Sequence, residues 1–160
     1  MKKFFPIFLV LFAAVAATML VSCSSSDDDD YKVNEQVVSL SFEPNEDLLS
    51  LFDLSVNYTD ENGKEQTEKL TGKFSKTLTI RKFPASGAFK LVATVKSSIP
   101  DKGSFDPYLS YRYEKAGHII SNRISMVKTI YTKTELQQFS DKLNKFTWEW
   151  EFASNGVSMK

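Results

Sequence analysis

Phe146-Thr147-Trp148-Glu149-Trp150-Glu151-Phe152 is the stretch that decides the fold. Aromatic residues take every second position, and polar residues fill the gaps. Successive side chains of a strand point to opposite faces, so this pattern makes one aromatic face and one wet face. On a helix the same four rings would be scattered around the cylinder. A row of four aromatic rings has to be covered, so the strand is predicted to bury that row against a second layer. Trp148 and Trp150 are therefore expected in the core, with Glu149 and Glu151 in solvent. An exposed row would instead form a flat stacking platform of the kind that holds sugar rings.

The same period of two recurs upstream. Val38, Leu40 and Phe42 share a face, with Ser39 and Ser41 opposite. Phe52, Leu54, Val56 and Tyr58 oppose Asp53, Ser55 and Asn57. Phe74, Leu78 and Ile80 line up, interrupted by Lys76. Phe89, Leu91, Ala93 and Val95 alternate with polar residues, as do Leu109, Tyr111 and Tyr113, and Ile120, Ile124 and Met126 continue the habit. Strict alternation suits antiparallel sheets with one buried face. Turn residues separate these runs: Glu43-Pro44-Asn45-Glu46-Asp47, Asp60-Glu61-Asn62-Gly63, Pro84-Ala85-Ser86-Gly87, and a longer loop from Pro100 to about Pro107. Thr132-Lys133-Thr134-Glu135 reads as a capping box opening a single short helix with Leu136, Phe139 and Leu143 on one face. The expected fold is all-β: an antiparallel β-sandwich of immunoglobulin/fibronectin-like type with one short helix near the C-terminus. A small partly open β-barrel is the alternative.

The N-terminal part is of another kind. Lys2 and Lys3 precede a run from Phe4 to Val21 that is apolar or small and uncharged. This is the architecture of a secretory signal over residues 1–22. Leu20-Val21-Ser22-Cys23 resembles the lipobox of bacterial lipoprotein precursors. The resemblance implies diacylation of the Cys23 thiol, cleavage before it, and acylation of the new amine. Ser24, Ser25, Ser26 and the run Asp27, Asp28, Asp29 and Asp30 follow. Small and mutually repelling side chains make a solvated tether over residues 23–35. Ser26 and Asp27 to Asp30 also resemble the acidic export signal of surface lipoproteins in one Gram-negative phylum. That implies a lipid-anchored protein of the outer membrane, exposed on the cell surface. The remainder, residues 36–160, is predicted to be one domain, resembling the immunoglobulin-like domains of such lipoproteins.

Composition narrows the function classes. Cys23 is the one cysteine, so the domain must be held by its core and not by disulfides. Twenty basic and twenty acidic residues balance over the whole chain. Such balance argues against a nucleic-acid partner. The expected partners are the membrane, through the lipid on Cys23, and a polysaccharide or neighbouring surface protein. No cofactor and no metal are expected. His118 is the sole histidine and reads as a surface-turn residue. The sequence contains no Gly-x-Ser-x-Gly elbow, and a lone histidine makes no multi-histidine metal site. Glu149 and Glu151 point the same way, roughly 7 Å apart, but read as the polar face of their strand. Asp60, Asn62 and Gly63 lack calcium-loop spacing and read as hairpin chemistry. Asn57-Tyr58-Thr59 fits a glycosylation pattern, but on a strand.

Aromatic residues are the richest signal, with thirteen Phe, six Tyr and two Trp. Tyr108 and Tyr131 are out of phase with the apolar positions of their strands, so they are expected as exposed ligand contacts. Three functions compete. A non-enzymatic surface-displayed binding or adhesion module, for glycans or surface proteins, would show an aromatic platform. A structural accessory subunit of an outer-membrane complex would show an exposed strand edge or apolar patch. A small hydrolase would need a cleft with convergent carboxylates.

Overall fold

The computed structural model describes residues 35–126 and 128–159. The signal segment 1–22, Cys23, Ser26 and the Asp27 to Asp30 run lie outside the described residues.

The body is mostly antiparallel β-sheet. Its strands are β1 (Gln36–Pro44), β2 (Phe52–Thr59), β3 (Glu65–Leu70), β4 (Phe74–Ile80) and β5 (Ala85–Val95), followed by β6 (Lys102–Ser104), β7 (Tyr108–Lys115), β8 (His118–Ser125), β9 (Ile130–Thr132) and β10 (Thr147–Phe152). One four-stranded sheet has the order β4-β1-β7-β8, and a second has the order β10-β5-β2-β3. β6 and β9 form a small two-stranded sheet of their own. Neither large sheet closes on itself, so the described residues form two open sheets and no closed barrel.

The two large sheets pack face to face through the alternating apolar residues. Val38, Leu40 and Phe42 of β1 are fully buried, as are Leu54, Val56, Phe89, Leu91 and Phe152 from the opposite sheet. Trp150 is 2% exposed and Trp148 8%, while Glu149 and Glu151 are exposed. The aromatic row is therefore core, as its alternation requires. Phe42 meets Trp148 edge to face at 5.5 Å, joining the sheets at the centre. The seat of Trp150 is Gly87, its direct cross-strand partner on β5.

Two helices flank the sheets. Helix α2 (Lys133–Leu143) carries the expected capping box, with Thr132 and Glu135 satisfying each other's backbone N–H. Leu136, Phe139 and Leu143 are buried. Helix α1 (Glu46–Leu51) is a departure from the single helix predicted. The Asn45 side chain accepts the Leu48 N–H at 3.0 Å, and Leu48 and Leu51 drop into the core. A segment read as a turn is thus one capped helical turn and a half, which sets two leucines three residues apart on the one face that meets the core. Among the described residues, no helix is long and apolar enough to cross a membrane.

Candidate functional site

The two open sides of the sandwich are treated differently. On the side of β3 and β4, a polar trio closes the gap. The Lys76 ammonium lies 2.8 Å from Glu68 and 4.7 Å above the Tyr58 ring. The Tyr58 hydroxyl donates to the same carboxylate at 2.5 Å. Lys76 and the tyrosine hydroxyl hold the Glu68 carboxyl below its ordinary value, and Glu68 holds Lys76 above its own. Burial, then the Glu68 acceptor, push the Tyr58 phenol up. The lysine that broke the β4 alternation is therefore an inward position whose charge is carried to the rim.

On the other side, sheet edges do not match. β7 stands opposite β10: Tyr113 donates its hydroxyl to the Glu149 carbonyl at 2.9 Å, and the Tyr111 ring lies 5.0 Å from Trp148. β8 is one strand further out and overhangs the edge of the second sheet. Ile120 and Asn122 pair with Tyr113 and Tyr111, so they share the inward face. Among the described residues nothing covers them, and Ile120 is 54% exposed where the alternation predicted burial. Ile124, further along, is covered and 6% exposed.

The overhang makes a cleft of about 320 Å³, lined by Tyr111, Asn122, Arg123, Ile124 and Ser125 from one sheet, and by Lys142 of α2 and Phe146 before β10. Tyr111 and Phe146 are half-buried, with ring centroids 6.2 Å apart. Phe146 stacks on Trp148 at 5.8 Å and is held in place by it. Two aromatic rings, an amide, a hydroxyl and an ammonium therefore face one opening. That set can stack a ring and hydrogen-bond its edge. Ser125 and His118 lie at opposite ends of β8, roughly 23 Å apart along the strand. Glu135, near the same mouth, is committed as the helix cap and to Lys128 at 2.8 Å, which together keep its carboxyl below the ordinary value.

A second concavity, of about 290 Å³, lies between the β2–β3 hairpin tip and the start of β5, with Trp150 at its wall. Its Asp60 is fully used by the turn. The carboxylate accepts the backbone N–H of Asn62 and Lys64, each at 2.9 Å, and the Gln66 amide at 3.0 Å. Those bonds, the one from Lys64 first, lower its pKa. Gly63 has φ +77°, which the tight turn demands. Asp60, Asn62 and Gly63 form hairpin chemistry. Among the described residues, no group of three or more His, Cys, Asp or Glu could hold a metal ion.

The remaining expected residues are scattered. Tyr108 is half-buried on the outward face of β7, with the Arg123 guanidinium 3.6 Å over its ring. It is not part of the cleft. Tyr131 is overturned as an exposed contact: it is fully buried. On β9 the phase is the reverse of that expected, with Ile130 outward at 68% exposure. The reason is Gly103, its cross-strand partner on β6. With no side chain there, the Tyr131 ring lies over the glycine and against Phe105 at 5.3 Å. Its hydroxyl has no hydrogen-bond partner among the described residues, and burial raises its pKa. His118 is exposed at the β7–β8 turn, and Asn57 accepts from Thr67 at 3.0 Å across β2 and β3. Asn122, Lys142 and Phe146 were not foreseen as a group. The adjacent Ile119 and Ile120, which cannot both face inward on a strand, were the available signal that β8 is not an ordinary core strand. No family model matches the chain, and no curated protein matches it.

Proposed function

We propose that the mature chain is a lipid-anchored, non-enzymatic binding module displayed on the outer membrane surface, and that it takes a carbohydrate ring in the cleft under β8. The observation that carries this reading is the pairing of two half-covered aromatic faces, Tyr111 and Phe146, with Asn122, Ser125 and Lys142 around one opening. Sugars present an apolar ring face and a polar rim, and this set offers a partner to each. The Trp148 and Trp150 row is core, so the stacking role passes to these two neighbours. The lysine favours an acidic sugar. For the surface address, support comes from the lipobox-like residues ending in Cys23 and from the Ser26 to Asp30 run. Within the sandwich class, we assign the domain to the immunoglobulin/fibronectin-like type on its short antiparallel strands in two sheets, with α2 and the β6–β9 pair as additions.

A glycan screen with the chain from Tyr31 onward, which carries the whole core, tests this. Lys142→Ala and Asn122→Ala should each weaken the retained glycan at least about tenfold, the loss of one or two hydrogen bonds. The melting temperature should hardly move, because Lys142 is exposed and Asn122 borders the overhang. Binding that survives both substitutions places the ligand elsewhere. Retention of a surface protein and of no glycan would favour the accessory-subunit reading, which the bare edge of β8 supports.

A further inference from the structure

We propose that β8 is a self-pairing edge, and that two copies of this chain join their β4-β1-β7-β8 sheets into one continuous sheet through antiparallel β8–β8 contact centred on Ser121. This interface abuts the ligand cleft, because Asn122 and Arg123 of the same strand line it, whereas Lys142 and Phe146 lie outside the paired strand.

The hydrogen-bonding parity of β8 follows from its turn. Ala116 at φ +49° and Gly117 at φ +82° form a two-residue loop with both residues left-handed, closed by the Lys115–His118 pair. In such a hairpin the closing pair is hydrogen-bonded, and every second pair after it. Even-numbered residues of β8 therefore bond to β7. Two further bonds agree: Met126 N–H donates to the Pro107 carbonyl at 3.2 Å, and Ala116 N–H turns the other way, to the Val37 carbonyl of β1. The N–H and C=O groups of Ile119, Ser121 and Arg123 thus point outward from the sheet. The Arg123 N–H is covered only by the neighbouring Asn122 side chain, at 2.7 Å. That bond is a local substitute for a strand partner.

The other edges of the two large sheets are protected. β3 carries Glu65, Glu68 and Lys69. β4 carries Lys76, tied to Glu68. The outer edge of β10 is taken by the Tyr113 hydroxyl at Glu149 and by a bridge from Phe152 to Ser158. β8 has none of these devices. It has eight residues, no proline, a single charged residue and exposed Ile119 and Ile120 at 50% and 54%. An edge of this kind is a template for another strand.

The strand suits its own copy. Bonding requires the outward residues to face each other, which limits the register to odd-numbered pairs. Centred on Ser121, Ile119 lies opposite the second copy's Arg123, and Ile120 opposite the second copy's Asn122. The two guanidinium-bearing residues are then offset by roughly 13 Å along the strands. A register centred on Arg123 would set like charges face to face, one centred on Asn122 would bring the two Arg123 within roughly 7 Å along the strands, and those centred on Ile119 or Ile120 would leave much of the strand unpaired. The two-fold contact is isologous and closes at two copies.

Sedimentation or light scattering of the chain from Tyr31 onward over a range of concentrations tests the proposal. A dimer is expected. Ser121→Pro should leave a folded monomer, because the N–H it deletes points outward and serves no bond among the described residues. Ile119→Lys faces the second copy's Arg123 and should weaken dimerisation roughly tenfold through its two symmetric contacts, whereas Ile119→Glu should retain or tighten it. As a register check, Ser121→Cys, the sole thiol in this chain segment, should form an intermolecular disulfide under mild oxidation, and Arg123→Cys should not. A monomer at every concentration overturns the proposal, as does a dimer unmoved by both Ser121→Pro and Ile119→Lys. Lys142→Ala, which reports on the cleft, should leave the dimer unchanged.

Discussion

Trp150 shows how much one residue can demand of another far away in sequence. Its ring covers the backbone of Gly87. A Cβ at that glycine would stand 2.4 Å from the indole and 2.7 Å from the Thr59 side chain. The indole is constrained, since Trp150 is 2% exposed and packs beside Phe152 at 6.0 Å. Gly87→Ala should therefore cost about 1–3 kcal/mol by overpacking. Trp150→Ala should cost about 3–5 kcal/mol by leaving a cavity. Glu149→Ala and Glu151→Ala should stay within about 0.5 kcal/mol, as exposed sites do. Denaturant titration of the four variants checks the order. A Gly87→Ala protein as stable as the parent would mean that the ring does not sit on the glycine. The Trp/Glu alternation was readable without coordinates because it is local. The glycine's part was not, because it depends on the Trp150–Gly87 register. Tyr131 was misread for the same reason: its partner, Gly103, is supplied by a distant strand, and three residues of β9 are too few to fix a phase.

Among the elements, α2 was legible from its Thr132–Glu135 box and its apolar spacing, whereas the way it docks was not. β10 pairs with β5 from Phe152 back to Thr147, and the Phe146 carbonyl then accepts the Leu91 N–H. Beyond that point no backbone continues the ladder, and side chains take over. The Asn144 carboxamide accepts the Ala93 N–H at 2.7 Å and donates to the Ala93 carbonyl at 3.0 Å, acting as one more residue of strand. Ser140, 1% exposed, donates to that carbonyl at 2.6 Å. Asn144→Ala should leave the Ala93 N–H without a partner while Ser140 still serves the carbonyl. One stranded donor costs about 1–3 kcal/mol. Hydrogen exchange at Ala93 should quicken well beyond the general loss of protection, and unchanged exchange there would rule out the clamp. Helix α1 escaped the reading because Asn45, its cap, lies beside Pro44 in a run rich in turn-forming residues. The buried pair Leu48 and Leu51 outweighs that composition.

For the whole molecule, layered β architecture was legible because each strand advertises a wet and a dry face, but strand order is not written in any local pattern. The cleft follows from that order: it exists because β8 extends past β10. Four adjacent carboxylates repel one another and carry no apolar surface to bury in a core. Replacing Asp27 to Asp30 by alanine should therefore leave the melting temperature of the domain unchanged while moving the protein from protease-accessible to protected on intact cells. The two sheets are tied across the open side by Tyr113, whose hydroxyl reaches the Glu149 carbonyl and whose burial pushes its pKa up to about 12. The unfolded phenol titrates near 10. Below pH 10 the phenol is neutral in both states, and its contribution is complete. Between 10 and 12 the unfolded chain loses this proton and the folded chain keeps it, so stability must fall as pH rises. Two units correspond to a loss of at most about 3 kcal/mol. Tyr58 and Tyr131 are raised too and share in the alkaline loss. Tyr113→Phe should lower stability at neutral pH by about 1 kcal/mol, the worth of one hydrogen bond, and should flatten the decline above pH 10. Chemical denaturation at pH 8 and at pH 11 separates the two effects. A decline of undiminished slope in the Phe variant would assign the alkaline sensitivity to the other two tyrosines and leave Tyr113 as a hydrogen-bond donor alone.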